Sequence, residues 1–337
     1  MRASRPPRSR CYHTTTKGLT DIPGIRVGHV SDYDALTGCT VVLCESGAVG
    51  GVDVRGAATG TEEIDVLRPT HLTDRVHAVV LAGGSAFGLE AASGVRRFLE
   101  HRGVGFPTGA AVVPIVPCAI LYDLAIGKAN VRPTREMGEA AAAAATTEPV
   151  KAGAVGVGTG ATLGKIFGMP QAMKGGIGSV TVDLTDTLRV SALVAVNALG
   201  DVRDPETGRL LAGARRAQAS MELADTEAEM KRGARGGFGR QNTTLAVVAT
   251  NAKLSKAEAT RLAQMASAGM ARTIFPVHTS FDGDVCFALS LGNETAELNT
   301  LGVAAAQAVA KSIVLAVKSA PTLGGVPGLA GPPVKPA

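Results

Sequence analysis

The residues best suited to chemistry are Asn242-Thr243-Thr244, where a polar, glycine-rich stretch from Gly233 to Arg240 runs directly into the apolar segment Leu245 to Ala249. A hydroxyl residue at the head of a buried strand, behind a flexible linker, is what a chain needs if it is to cut itself and expose an N-terminal threonine. Such a threonine carries its own base. An unperturbed α-amine titrates near ~7.7 to 8.0, so around neutral pH it takes the hydroxyl proton without a separate histidine. An ordinary strand start has the same pattern, and the rest of the sequence must separate the two readings.

Lys165 interrupts a glycine-rich, otherwise uncharged segment. It is either solvated or, if near Thr243, a positive charge that disfavours protonation of the α-amine and keeps the base neutral. Asn197 ends the apolar run Val190 to Val196, where its amide caps a turn or donates to an oxyanion. Tyr122 lies in the apolar run Ala119 to Asp123 and needs a hydroxyl partner if buried. The stretch Pro276 to Asp284 carries His278, Asp282 and Asp284 around an Asp-Gly turn, a loop held by local hydrogen bonds or part of a site. It lacks the remaining ligands of an EF-hand calcium loop. The six histidines show no paired metal-ligand spacing, so no metal is expected. Gly83 to Gly88 and Gly156 to Lys165 depart from dinucleotide and P-loop spacings, and close packing accounts for these glycines; no cofactor is expected.

The elements that must position these residues follow from hydrophobic pattern. A turn-rich start from Gly18 to His29 leads into a first strand, followed by strands at Gly38 to Cys44 and His77 to Ala82. Ser85 is expected to cap a helix reaching His101, and Glu136 to Thr147 is expected to be helical. Val112 to Val116, with Pro114 and Pro117, reads as extended or irregular. Later strands are expected at Ser179 to Leu184, Val190 to Val196, Leu245 to Ala249, Ile274 to Val277 and Val285 to Leu291. The first half of Ala214 to Arg240 reads as helical and the second as a mobile linker. Ser255 and Glu258 form a capping box opening a helix to Met270, and Ala296 to Val317 contains a long helix. Residues 1–17 and 320–337 are expected to be disordered tails around one domain, 18–319, of layered α/β type with mixed sheets.

The chain has 337 residues and a formal net charge of +5. Arg2, Arg5, Arg8, Arg10 and Lys17 account for that excess, so the folded part is balanced and gives no concentrated positive face for nucleic acid. Five cysteines without a CxxC pair read as reduced, buried thiols of a cytoplasmic protein. No signal peptide is recognised and no window is read as a membrane span.

Seven stretches carry a specific resemblance: Asp21 to His29, Leu81 to Leu89, Val113 to Pro117, Lys174 to Gly178, Val194 to Asn197, Asn242 to Asn251 and Ala271 to His278. In this order they resemble the L-aminopeptidase/D-esterase (DmpA-like) family of self-processing N-terminal-nucleophile hydrolases, over roughly Gly18 to Pro321. The resemblance implies a four-layer α/β/β/α sandwich, a cut between Asn242 and Thr243 giving chains 1–242 and 243–337, and a homotetramer of αβ units. It implies an amidohydrolase or aminopeptidase with no cofactor, acting on small peptides or linear amide oligomers. The well-known aminopeptidases of the family have a serine nucleophile and a Ser-x-Glu pair. Here Thr243 and Asp282-Gly283-Asp284 stand in those places, which is more similar to the nylon-oligomer hydrolase branch.

Carried over by resemblance, the site comprises Tyr122, Lys165, Asn197, Thr243, Asp282 and Asp284. Asn197 is the oxyanion donor, Lys165 tunes the amine and positions Asn197, Tyr122 orients nucleophile or substrate, and Asp282 with Asp284 anchors the new amino terminus or Lys165. Two alternatives stay open: acyl transfer of the ornithine acetyltransferase type, and an uncleaved small-molecule binding protein.

Overall fold

A computed structural model describes residues 17–234 and 242–332. The linker expected up to Arg240 lies largely outside these residues, as do the basic start of the chain and its last five residues. Among the described residues, apolar alternation builds one nine-stranded sheet. Its strands are β1 (Arg26–Asp32), β2 (Thr37–Val54), β3 (Thr61–Glu62), β4 (Arg75–Ala82), β5 (Cys118–Ile120), β6 (Gly176–Asp183), β7 (Arg189–Asn197), β8 (Thr243–Ala252) and β9 (Val285–Glu294). The spatial order is β6-β7-β8-β9-β2-β4-β5-β3, with β1 paired to β2. The sheet is mixed: β8 and β9 run parallel, as do β4 and β5, while the other neighbours are antiparallel.

The long strand β2 turns this sheet into two layers. Its residues 37–43 pair with β1 and its residues 49–54 with β9, and its register against β4 shifts between Leu43 and Ala48, beside Gly47 in the left-handed region. A bulge of this kind bends a strand and increases its twist. Alternate side chains then face different cores, as the period of two requires. Val42, Val79, Leu81 and Leu121 meet Leu193, Ala195, Leu245, Val247 and Phe287 in a core between the two sheet halves. The neighbouring residues Val41, Leu43, Ala78 and Val80 face helices α1 (Glu90–His101) and α2 (Arg135–Ala143). Ala192, Val194, Ala246 and Val248 face, beyond the short helix α3 (Thr226–Lys231), the later helices α4 (Lys256–Ala271) and α5 (Leu298–Lys318). The layers are therefore α4/α5, β6 to β9, β1 to β5 and α1/α2, the α/β/β/α arrangement implied by the resemblance.

Small side chains set the layer spacing. At the α1/α2 crossing a Cβ on Gly94 would stand 1.8 Å from the Arg135 carbonyl oxygen, and one on Gly138 would stand 1.9 Å from that of Ala91. Gly138→Val is therefore expected to destabilise the fold by about 1–3 kcal/mol or more through overpacking. Urea denaturation checks this; an unchanged midpoint would mean that the helices separate without cost.

Several expectations need correction. Ser85 does not cap α1: it has φ +55° and begins a 3-10 turn, Ser85–Leu89, that leads into the helix without a side-chain cap. Residues 214–225 are irregular, and only the short α3 is helical there. The helix expected to reach Thr147 stops at Ala143, where the chain turns so that Thr146 bridges to Val27. The capping box at Ser255 and Glu258 is present. Contrary to the expectation of no membrane-length window, α5 is long and apolar enough to span a membrane by composition, but 67% of that window is buried inside the fold. Its apolarity serves the core it shares with β6, β7 and α4. Residues 320–332, expected to be disordered, are placed: Ala320 and Val326 are buried, the Lys174 amide donates to the Pro327 carbonyl, and Val326 packs with Leu36 and Ile126. Proline and glycine shape this segment, while its few apolar residues attach it.

Candidate active site

Three neighbouring strands bring their ends together at one place. Antiparallel pairing sets Asn197, the last residue of β7, opposite Thr243, the first of β8, and parallel pairing sets Leu245 opposite Val285 at the start of β9. The loop before β9 lies against the segment before β8: the Asn242 amide donates to the Phe281 carbonyl, and the Gly283 amide donates to the Asn242 carbonyl at 2.7 Å. The Thr243 hydroxyl donates to the same carbonyl oxygen at 2.6 Å. The carbonyl before Thr243 thus receives two donors, one of them the hydroxyl that would attack it. Thr243 itself is 3% exposed.

Asn197 is fully buried and has a defined amide orientation. Its Oδ1 accepts from the Thr162 amide at 3.0 Å and from Lys165 Nζ at 2.9 Å, and its Nδ2 donates to the Tyr122 carbonyl at 3.0 Å. Two donors from the 162–165 segment and one acceptor from Tyr122 leave only one way to place the amide. Among the described residues the second Nδ2 hydrogen has no protein acceptor. Lys165 Nζ also donates to the Asn197 main-chain carbonyl at 3.1 Å.

Asp284 accepts the Thr244 amide at 2.6 Å and, on its other oxygen, the amide and Nδ1 of His278. Asp282 accepts the Leu199 amide on one oxygen and Thr279 on the other. Both carboxylates are buried, so each has its charge satisfied by fixed donors.

Burial dominates the electrostatics. It pushes Lys165 down to about 7, against the opposing pull of Asp282 and Asp123. It also pushes Asp282 up to about 6, with the Asp284 charge adding to the shift. These values bring ionisable groups into the neutral range, where proton transfer chemistry works.

All six residues expected at the site come together. Tyr122 touches Asn197 through its main-chain carbonyl, and its hydroxyl makes no hydrogen bond among the described residues. Asp284 holds the amide of Thr244, the residue next to Thr243. The sequence reading missed Thr162 and Asp123, and assigned no role to Gly283 or to Lys174 within its Lys-Gly-Gly stretch. His278 was singled out only as part of its loop, where it supports Asp284 with φ +55°. The glycines of the two clusters considered for nucleotide binding are occupied internally: the Gly84 amide donates to Asp123, and the Gly156 amide to Ser31. Among the described residues no group of three or more His, Cys, Asp or Glu side chains could hold a metal ion.

Comparison with known proteins bears on this arrangement. Residues 17–330 match peptidase family S58. An aminopeptidase of Mycobacterium bovis, described as uncharacterized, is 41% identical over 92% of this chain and 96% of its own length. A 6-aminohexanoate-oligomer endohydrolase of Kocuria sp. is 31% identical over 80% of this chain and 74% of its own. The L-aminopeptidase D-Ala-esterase/amidase of Ochrobactrum anthropi, a variant of the Ntn hydrolase fold, superposes with a TM-score of 0.69 at 20% identity, covering 92% of this chain and 88% of that one.

Proposed function

The chain belongs to peptidase family S58 and is a hydrolase of amide bonds, and from that premise we propose that it matures by cutting itself between Asn242 and Thr243 and then uses Thr243 as an N-terminal nucleophile. The observation that carries this reading is the Thr243 hydroxyl 2.6 Å from the Asn242 carbonyl oxygen, which the Gly283 amide also holds. In maturation the Thr243 hydroxyl oxygen adds to the Asn242 carbonyl carbon, and Gly283 N–H stabilises the oxyanion. The C–N bond breaks as the threonine nitrogen takes the hydroxyl proton, leaving an ester. Water opens that ester to the Asn242 carboxylate and a free Thr243 amine.

In turnover the same hydroxyl attacks a substrate amide while the Thr243 amine accepts its proton and returns it to the leaving amine. The unengaged Nδ2 hydrogen of Asn197 donates to the oxyanion, and water then hydrolyses the acyl-enzyme. Thr243 with the Asp282/Asp284 pair favours linear amide oligomers and small peptides as substrates. Buried free thiols at Cys39, Cys44, Cys118 and Cys286 fit a reducing, cytoplasmic setting. A tetramer of αβ units is the assembly the family resemblance suggests.

Amide substrates test this directly. The purified protein is expected to release amine from at least one of a panel of L-amino-acid p-nitroanilides, β-amino amides and linear 6-aminohexanoate oligomers, as read by mass spectrometry. Failure on the whole panel, or product formed only by transfer to an added amine, would count against it.

The pH profile gives a second test. Below about 7, where Lys165 is protonated, its charge opposes protonation of the Thr243 amine, whereas the Asp282 carboxylate favours it. The acidic limb of kcat/KM is therefore expected to move to higher pH in Lys165→Met and to lower pH in Asp282→Asn. Shifts in the same direction would remove the electrostatic assignment.

A further inference from the structure

The geometry points to Lys174 and Asp123 as a buried pair of positioning residues that fix the Asn197 amide through the main-chain groups holding it. Beside its contact with Lys165, Asn197 is oriented by the Thr162 amide on one side and the Tyr122 carbonyl on the other. These belong to segments far apart in the chain, and each lies directly beside a group tied down by a buried charge. Next to Thr162, the Ala161 carbonyl accepts Lys174 Nζ at 2.5 Å; the same Nζ donates to the carbonyls of Gly158 at 3.2 Å and Gly175 at 3.3 Å. Next to Tyr122, the Asp123 carboxylate accepts the Gly84 amide and the Thr37 hydroxyl, each at 2.7 Å. Lys174 is 1% exposed and Asp123 4%.

The two charges also sense each other. Burial disfavours the ionised form of both, while the charge of Asp123 favours ionised Lys174 and that of Lys174 favours ionised Asp123. Asp123 acts in the same way on Lys165, and Asp282 does so too. Each lysine is thus favoured in its charged form by an aspartate, Lys174 by Asp123 and Lys165 by Asp282 and Asp123. Burying such charges is costly, and an apolar replacement of similar volume is often no less stable, so the pair is better explained by orientation than by stability. Lys174 gathers the Gly158 and Ala161 carbonyls of the turn that carries Thr162, together with the Gly175 carbonyl beside itself. Asp123 ties the strand end carrying Tyr122 to the Gly83-Gly84 turn. Moving either one lets the amide of Asn197 rotate away from its donor geometry.

This inference rests on Asn197 as oxyanion donor for its kinetic consequence, but not for its structural one. Crystal structures of full-length wild type, Lys174→Met and Asp123→Asn are expected to show Asn197 Oδ1 beyond hydrogen-bond reach of the Thr162 amide in the first variant. They are expected to show Nδ2 beyond reach of the Tyr122 carbonyl in the second. An Asn197 side chain unmoved in both would overturn the proposal whatever the activities. With a p-nitroanilide or 6-aminohexanoate oligomer that the wild type turns over, Lys174→Met is expected to lower kcat on the order of tenfold, the size of a coupled pair, with KM within about twofold. In an Asn197→Ala background the same change is expected to leave kcat unaltered, because the group it positions is gone. An equal loss in both backgrounds would show a merely structural role. Asp123→Asn provides the same cycle if Lys174→Met fails to fold. If Asn197→Ala itself kept full activity, the oxyanion assignment would fall while the structural comparison still decided the positioning claim.

Discussion

Replacing Thr243 by alanine is expected to leave the protein as one uncut chain and to lower amide hydrolysis on the order of 10⁴-fold or more, the loss typical of removing a nucleophile. The size follows from one atom serving twice. In the proposed mechanism the Thr243 hydroxyl oxygen, which lies 2.6 Å from the Asn242 carbonyl oxygen, attacks in maturation and again in turnover. Without the cut there is also no α-amine to act as base. Thr243→Ser keeps the oxygen at the head of the same strand and is expected to retain both cutting and turnover. Denaturing electrophoresis with a turnover assay checks both variants. A cut chain in Thr243→Ala would mean that another group attacks the 242–243 bond, and an uncut but active one would mean that turnover needs no free threonine amine.

Replacing Asn197 by alanine is expected to lower kcat by ~10²- to 10³-fold, the usual consequence of losing one oxyanion donor, with a much smaller change in KM. The prediction is sharp because the structure separates the donors. The Asn242 carbonyl, the proposed site of the cut, is held by the Gly283 amide, whereas Asn197 is the residue paired opposite Thr243 and is assigned to the oxyanion of turnover. Asn197→Ala is therefore expected to slow turnover more than maturation. Steady-state kinetics on fully cut enzyme, set beside the time course of cutting, measures the two effects independently. Full activity in the alanine variant would move the oxyanion site elsewhere, and equal losses in both reactions would mean that Asn197 chiefly holds Lys165.

Much of this site was legible in the sequence because its residues sit where patterns end. Thr243 and Asn197 terminate apolar runs, and strand pairing places such termini side by side. Lys165 stood out as a lone charge among glycines. The residues that fix these groups left no comparable mark. Asp123 is held by Gly84 and Thr37, 39 and 86 positions away, and only the pairing of β4 with β5 and with β2, ahead of the bend in β2, brings them together. Nor does hydrophobic alternation announce that bend, since residues 37–44 and 48 are buried and the register change at Leu43 to Ala48 is a matter of backbone geometry. The C-terminal segment was misread for a related reason. Its composition resembles a disordered tail, but a few contacts through Ala320, Val326 and the Pro327 carbonyl are enough to seat it. The resemblance named the site's side chains, and only the structure showed that Tyr122 contributes its carbonyl.

The central claim is that this chain makes its own N-terminal threonine. Intact mass spectrometry of the freshly purified wild-type protein under denaturing conditions tests it most directly. The account requires two chains whose masses correspond to residues 1–242 and 243–337, the second beginning with unmodified Thr243. A single chain of 337 residues that stays intact on prolonged incubation would contradict it.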